Sequence, residues 1–280
     1  MIGLARTWAL SALTGLVLAL TAVGPSAAQG LLSFGDSEQP LEITADDGIE
    51  WRRKEQLYIA SGNARAARGD LVLFADILAA YYREGEDGGT EIYRVEAHGQ
   101  VRVVSPNETI FGDDGYYDVE RGVVVLTGDD LRLEAGGDIL TAKDSLEYWE
   151  TEQLAVARGK AEVIRDDNRL TADILVGHFA TNVEGKLTLS RVDAKGDVRI
   201  STPTDFVRSD SGVYYLDKEL AELIGAVKIT RGENQLNGEY AEVNLATGVS
   251  RLLGAPPGGA GDTRVRGLFI PEQSGSDDDS

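Results

Sequence analysis

The stretch Gly99-Gln100-Val101-Arg102-Val103, followed by Ile110-Phe111-Gly112-Asp113, decides the fold. Val101 and Val103 alternate with polar neighbours, and an alternation of period 2 marks a strand with one face buried and the other wet. The first half of this unit, a glycine followed by alternating apolar residues, returns as Gly62-x-Ala64-x-Ala66, Gly159-x-Ala161-x-Val163, Gly196-x-Val198-x-Ile200 and Gly225-x-Val227-x-Ile229. Gly128 begins a further copy, in which Asp130 shifts the frame and Leu131 and Leu133 carry the alternation, as a β-bulge would read. Successive glycines lie 37, 29, 31, 37 and 29 residues apart. The second half-unit reads apolar-x-small, mostly followed by Asp. It starts at Ile43, Leu73, Ile110, Leu140, Leu170, Val207 and Leu236. Several copies run on to an aromatic: Trp51, Tyr81, Tyr116, Tyr148, Tyr215 and Tyr240.

A pattern repeated through a whole chain outranks any local propensity. Leu71 to Tyr82 has the Leu and Ala content of a helix, yet it sits in frame with the other copies and is read as a strand. Turns rich in Asp, Glu, Lys and Gly, such as Glu120-Arg121-Gly122 and Asp217-Lys218-Glu219, join the strands into hairpins. Roughly fourteen strands in tandem predict an all-β chain, an elongated twisted β-jellyroll or short β-solenoid of two-strand repeats wrapped around an apolar interior. The expected inward column Ala45, Ala75, Gly112, Ala142, Ala172, Ser209 and Gly238 is small. It either leaves room along the axis or lets two sheets approach closely, and the sequence leaves both open.

The ends differ from this body. Arg6, the apolar run Trp8 to Val23 and the small-x-small site Ser26-Ala27-Ala28 read as a signal peptide over residues 1–28, with the mature chain starting near Gln29. An uncleaved anchor is the alternative. The repeat body spans 41–253. Residues 254–280 hold a Pro/Gly linker, a possible last strand at Val265 to Ile270 and a tail, Ser274 to Ser280, expected to be disordered.

The 280 residues carry 27 basic and 47 acidic side chains, a net charge of −20. Nucleic acid is excluded as a partner on bulk electrostatics. There is no cysteine, hence no disulfide, no thiolate metal site and no cysteine nucleophile. His98 and His178 are the only histidines and lie far apart in the chain. The acidic pairs Asp46-Asp47, Asp113-Asp114, Asp129-Asp130 and Asp166-Asp167 are read as solvated turns, and calcium ligation at the middle two lacks the regular spacing it needs. No nucleophile elbow, Walker loop or zinc-protease motif occurs. The chain is read as no enzyme, with no cofactor, no metal and no catalytic residue.

The residues Leu73-Phe74-Ala75-Asp76 with Tyr81, Leu170-Thr171-Ala172-Asp173, and the Gly-x-Val-x-Val/Ile copies at Gly99, Gly196 and Gly225 resemble the OstA-like family. The periplasmic lipopolysaccharide-transport bridge proteins belong to that family. The resemblance covers about Leu41 to Leu253. It implies a jellyroll open at both ends, located in the periplasm, whose apolar groove holds the lipid A acyl chains of lipopolysaccharide. It further implies edge-strand contacts with inner-membrane LptC-like and outer-membrane LptD-like proteins, and a head-to-tail homo-oligomer. Greater length, strong acidity and the extra tail depart from the family pattern. The groove is expected at Ile43, Leu57, Ile59, Leu73, Ile77, Val101, Val103, Leu131, Leu133, Leu140, Leu146, Val163 and Phe179, each of which a filled core would also require. Arg52, Arg53 and Lys54 could meet lipid phosphates or form a plain solvated turn. A structural scaffold of the envelope and a membrane-anchored LptC-like protein are the alternatives.

Overall fold

The computed structural model describes residues 41–85, 88–244, 246–247, 249–258 and 264–269. The expected signal peptide and the acidic tail lie outside them. Every regular element is a strand: β1 (Glu42–Thr44), β2 (Gly48–Arg52), β3 (Leu57–Arg68), β4 (Leu71–Glu84), β5 (Thr90–Val104), β6 (Glu108–Asp118), β7 (Val123–Thr127), β8 (Leu131–Ala135) and β9 (Asp138–Ala142). There follow β10 (Ser145–Trp149), β11 (Leu154–Arg165), β12 (Asn168–Thr181), β13 (Leu187–Ser201), β14 (Asp205–Tyr215), β15 (Leu220–Arg231), β16 (Asn234–Asn244), β17 (Val249–Leu253) and β18 (Arg266–Leu268). Leu71 to Tyr82 is strand, as its place in the repeat requires.

All pairings are antiparallel and nearly all join sequence neighbours, the arrangement tandem hairpins produce. The long strands are creased midway. The register of β4 with β5 shifts between Phe74/Ile77, and that of β12 with β13 between Thr171/Ile174. At the same level the chain breaks altogether between β1 and β2, β7 and β8, and β9 and β10. Each such pair of short strands then flanks the two halves of one long neighbour. One creased sheet therefore folds into two facing layers. The front layer contains β1, β8, β9, β18 and one half of each long strand. The back layer contains β2, β7, β10, β17 and the other halves. This is the jellyroll.

The repeated glycine makes the crease. Gly99 and Gly196 have φ of +76° and +77°, and the next residues, Gln100 and Asp197, are also left-handed at +48° and +43°. Two left-handed residues in succession turn the strand, and glycine takes the first place at no steric cost. The repeated aspartate faces it from the neighbouring strand. A Cβ on Gly99 would overlap the Asp76 carboxylate, and one on Gly196 that of Asp173. Asp47, Asp144 and Asp210 stand in the same way against Gly62, Gly159 and Gly225. The Gly128 copy shows what the carboxylate does there: Asp113 Oδ2 accepts the Asp129 backbone N–H at 2.8 Å. In the first copy the partner is Asp47, one residue beyond the position that the sequence pattern favours.

A larger period overlies the hairpins. β3 to β6 recur as β11 to β14 with a constant offset of 97 residues, Leu57 returning as Leu154, Leu71 as Asn168, Thr90 as Leu187 and Glu108 as Asp205. Arg68 corresponds to Arg165 and Asp76 to Asp173.

The core lies between the layers. Leu131, Val198, Val207, Val227 and Val243 are at most 1% exposed. The small column of the sequence pattern belongs to the crease: Ala75, Ala142 and Ala172 are buried there. A Cβ on Gly112 would come within 3.2 Å of the Thr127 carbonyl and 3.3 Å of Leu131. Its small size lets the chain between β7 and β8 pass close by at the crease, and the open space lies elsewhere.

Candidate functional site

The front layer presents one continuous inward row across its strands. Ile43 pairs with Ala66, Ala66 with Leu73, Leu73 with Val103, and Val103 with Ile110. The row continues through Leu133, Leu140, Val163 and Leu170 to Ile200, Val207 and Ile229. Period-2 alternation puts all of them on one face, and the fold turns that face to the back layer.

Between the layers this row borders a file of apolar cavities. The first, about 230 Å³, is bounded by Ile43, Leu73, Val101 and Val103 in front and by Tyr58, Ala97 and Tyr117 behind. The second, about 160 Å³, is bounded by Leu133, Leu140 and Val163 in front and by Leu146, Tyr148 and Phe179 behind. Val124 and Leu126 line both, so the two spaces adjoin. A third, about 20 Å³, adjoins the second at Leu170 and Val192 and is closed down by Val198, Ile200, Tyr214 and Leu223. The interior therefore tapers from the first space to the third.

Nine of the residues expected at the groove line these spaces: Ile43, Leu73, Val101 and Val103 the first, and Leu133, Leu140, Leu146, Val163 and Phe179 the second. Four do not. Ile77 is 41% exposed, because Asp76 and Ile77 both point outward at the crease and the inward parity passes from Ala75 to Leu78. Leu57 and Ile59 occupy the face opposite Tyr58 and Ala60, which line the first cavity. Leu131 is 1% exposed and packs at the crease, against Gly112.

Sequence reasoning also missed the polar end of the site. Arg68 lines the first cavity, and Glu108, Asp138 and Arg165 line the second. All four sit at strand ends on the front rim. Arg165 and Asp138 form an ion pair there, with side chains 14% and 8% exposed. The available signal was the 97-residue period, which sets Arg68 and Arg165 at equivalent strand ends.

Tyr148 stands against the second cavity at 3% exposure, edge-on to Phe179 at 6.3 Å. Burial holds its hydroxyl above the usual phenol range, so it stays neutral. That hydroxyl has no hydrogen-bond partner among the described residues.

The remaining candidates are placed away from the cavities. His98 Nδ1 lies 2.8 Å from Asp114, and His178 Nε2 lies 3.0 Å from Asp193. Asp113-Asp114 lies within β6 at the crease, not in a turn. No group of three or more His, Asp or Glu suited to a metal occurs among the described residues. Arg52 pairs with Glu50 at 3.0 Å, Arg53 stacks on Trp51 at 4.1 Å, and Lys54 is exposed in the hairpin turn.

A family model described as the LptA/(LptD N-terminal domain) lipopolysaccharide transport protein matches residues 42–153 and again 142–249. The chain belongs to this family. The double match agrees with the 97-residue period, so the chain holds two family units in tandem. The family is one of transport proteins and not of enzymes. No curated protein matches the chain. A crystal structure of LptH, the LptA-homologous periplasmic component of the lipopolysaccharide transport device of Pseudomonas aeruginosa, aligns over 85% of this chain and 99% of its own at 12% identity. Its TM-score is 0.22.

Proposed function

We propose that this transport-family chain is a periplasmic carrier that holds the acyl chains of lipopolysaccharide between its two layers on their way from the inner to the outer membrane. The observation that carries the reading is the file of adjoining, predominantly apolar cavities on the inward row. Each methylene taken from water contributes about 0.8 kcal/mol, so a dozen of them hold a lipid without any catalysis. At its two ends the roll carries β1 and β2, and β17 and β18, each hydrogen-bonded to one neighbouring long strand. Strand addition at such edges would join LptC-like and LptD-like neighbours, or further copies, into one continuous groove. Removal of residues 1–28 would release the mature chain into the periplasm.

Photo-crosslinking tests this. A photoreactive residue at Leu73, Val101 or Leu140 yields lipopolysaccharide adducts in a producing host. At outward Ile59 and Glu242, and at Val207 and Val227 in the tapered part, it yields none. Folded protein without adducts at any inward position would replace the carrier with a structural scaffold whose interior is filled.

Tyr148 supplies a second check. Its buried hydroxyl costs about 1 kcal/mol while unpaired. Tyr148→Phe should therefore raise the Tm by about 2–4 °C, while weakening retention of lipids that offer an ester or hydroxyl to the cavity. A lowered Tm would show that the hydroxyl is satisfied and is no part of the site.

A further inference from the structure

The outer face of the front layer bears a row of basic side chains that the chain's net charge of −20 conceals. Cross-strand pairing links Arg65 to Phe74, Phe74 to Arg102, Arg102 to Phe111, and Phe111 to Arg132. The same row passes through Thr141, Glu162 and Thr171. It then joins Arg199 to Arg208, Arg208 to Lys228, Lys228 to Asn237, and Asn237 to Arg266. Seven cations and one carboxylate therefore stand in a single line perpendicular to the strands. At roughly 4.8 Å per strand the line is about 60 Å long. It runs parallel to the file of cavities on the other side of the same layer.

The row is less fully neutralised than the opposite face: Arg65, Arg132 and Arg199 pair with Glu42, Glu134 and Asp197. The outer row of the back layer is acidic, with Glu50, Glu96, Glu147, Asp193, Glu222 and Glu242 in register. Arginines pair with five of these six, from Arg191 to Asp193 at 2.5 Å to Arg251 to Glu242 at 3.9 Å. In the front row, Arg102, Arg208 and Lys228 are exposed and have no ion-pair partner among the described residues. Arg199, Arg208 and Lys228 are directly opposed like charges; Asp197 pairs with Arg199, which leaves two adjacent cations, Arg208 and Lys228, without an ion pair of their own. Arg102 lies over Phe74 at 4.4 Å and Arg132 over Phe111 at 4.5 Å, making flat platforms.

We propose that this row is a track for the anionic saccharide head of the carried amphiphile. The inference rests on the carrier reading, which seats the acyl chains in the cavities. Hydroxyls and phosphates cannot follow them there without heavy desolvation cost, so the head must leave the groove. Four charged residues of the cavity lining, Arg68, Glu108, Asp138 and Arg165, gather at the front rim, whereas Glu147 of the back layer is held by Arg158, so the head emerges at the front rim. The basic row lies two or three residues behind that rim, roughly 7–10 Å away. A planar anionic membrane fits less well, because laid on this face it would also meet the crease aspartates Asp76, Asp113, Asp173 and Asp210. A narrow saccharide laid along the row avoids those crease aspartates. The cations form two clusters, one around Arg102 and one around Arg208, separated by Thr141, Glu162 and Thr171, and a head displaced along the groove passes from the first cluster to the second.

The test uses the full mature chain and a fully deacylated, phosphorylated lipopolysaccharide core oligosaccharide as probe. One variant carries Arg102→Gln, Arg208→Gln and Lys228→Gln. A control removes the same charge from exposed sites off the row, Lys54→Gln, Lys195→Gln and Lys218→Gln. The row variant should bind the oligosaccharide about ten-fold more weakly than wild type, and the control within about two-fold, at low salt. Equal losses in both variants, or no binding by wild type, overturn the track. Crosslinking from Val101 is read in parallel: adducts there with an unaffected row variant remove the track and leave the carrier, whereas missing adducts remove the carrier itself.

Discussion

Gly196→Ala should cost about 3 kcal/mol, a large effect for one methyl group. Alanine at φ +77° carries about 1–2 kcal/mol of left-handed strain. Its Cβ also overlaps the Asp173 carboxylate, which must then rotate or drag its strand away. A loss of this size lowers the Tm of a chain this long by about 6–12 °C. The second variant separates the two causes. Gly196→Ala combined with Asp173→Ala removes the overlap and keeps the strain, so it should recover about half the loss. The couple is then non-additive, as expected for residues in contact. A Gly196→Ala protein within about 0.5 kcal/mol of wild type in chemical denaturation would show that the crease does not depend on the glycine–aspartate pair.

That pair also marks where the sequence was legible. The alternation around Gly99, Gly196 and Gly225 was enough for strands, hairpins and a two-faced layer. Such alternation reports burial of one face directly, and six tandem copies leave little room for chance. The recurrence of glycine and aspartate was visible as a pattern, but its meaning was not. Gly99 and Asp76 meet across neighbouring strands, and register decides that contact, whereas spacing along the chain does not. The two-unit architecture was partly visible in the 37 and 29 residue intervals, which occur twice each. It becomes plain when Leu57 and Leu154, or Glu108 and Asp205, are seen to begin equivalent strands.

The site was legible to the extent that it follows from parity. Ile43, Leu73, Val103, Leu133, Leu140 and Val163 fall on the inward row because bulky apolar residues on an unbroken alternation have one face to occupy. Leu57 and Ile59 failed for an instructive reason. They are larger and more apolar than Tyr58 and Ala60, so weight of hydrophobicity favoured the wrong face, whereas the space of the first cavity comes from the smallness of residues such as Ala60. The rim charges Arg68 and Arg165 and the outer basic row have no local signature. Arg102, Arg208 and Lys228 each look like an ordinary outward residue, and only the register of nine strands places them in one line.

The same parity argument yields a contrast of large magnitude between two residues that the alternation treated alike. Leu131→Ala should cost about 2–5 kcal/mol, because a side chain 1% exposed at the crease leaves a cavity its neighbours cannot fill. Gly112 and the Thr127 carbonyl already lie at close range there, so collapse onto the gap would require the layers to shift. Ile77→Ala should cost under about 1 kcal/mol, since its side chain is 41% exposed on the outer face. The alternation Leu73-x-Ala75-x-Ile77 predicts the reverse for Ile77, an inward residue with a core-sized penalty. Urea unfolding of the two variants reads the difference directly. If Ile77→Ala were as damaging as Leu131→Ala, β4 would run through the crease without inverting its face, and the division into two layers would fail at that strand. If only Leu131→Ala is damaging, the crease inverts parity at Asp76 and Ile77. The inward row and the cavities beside it then stand on the register given above.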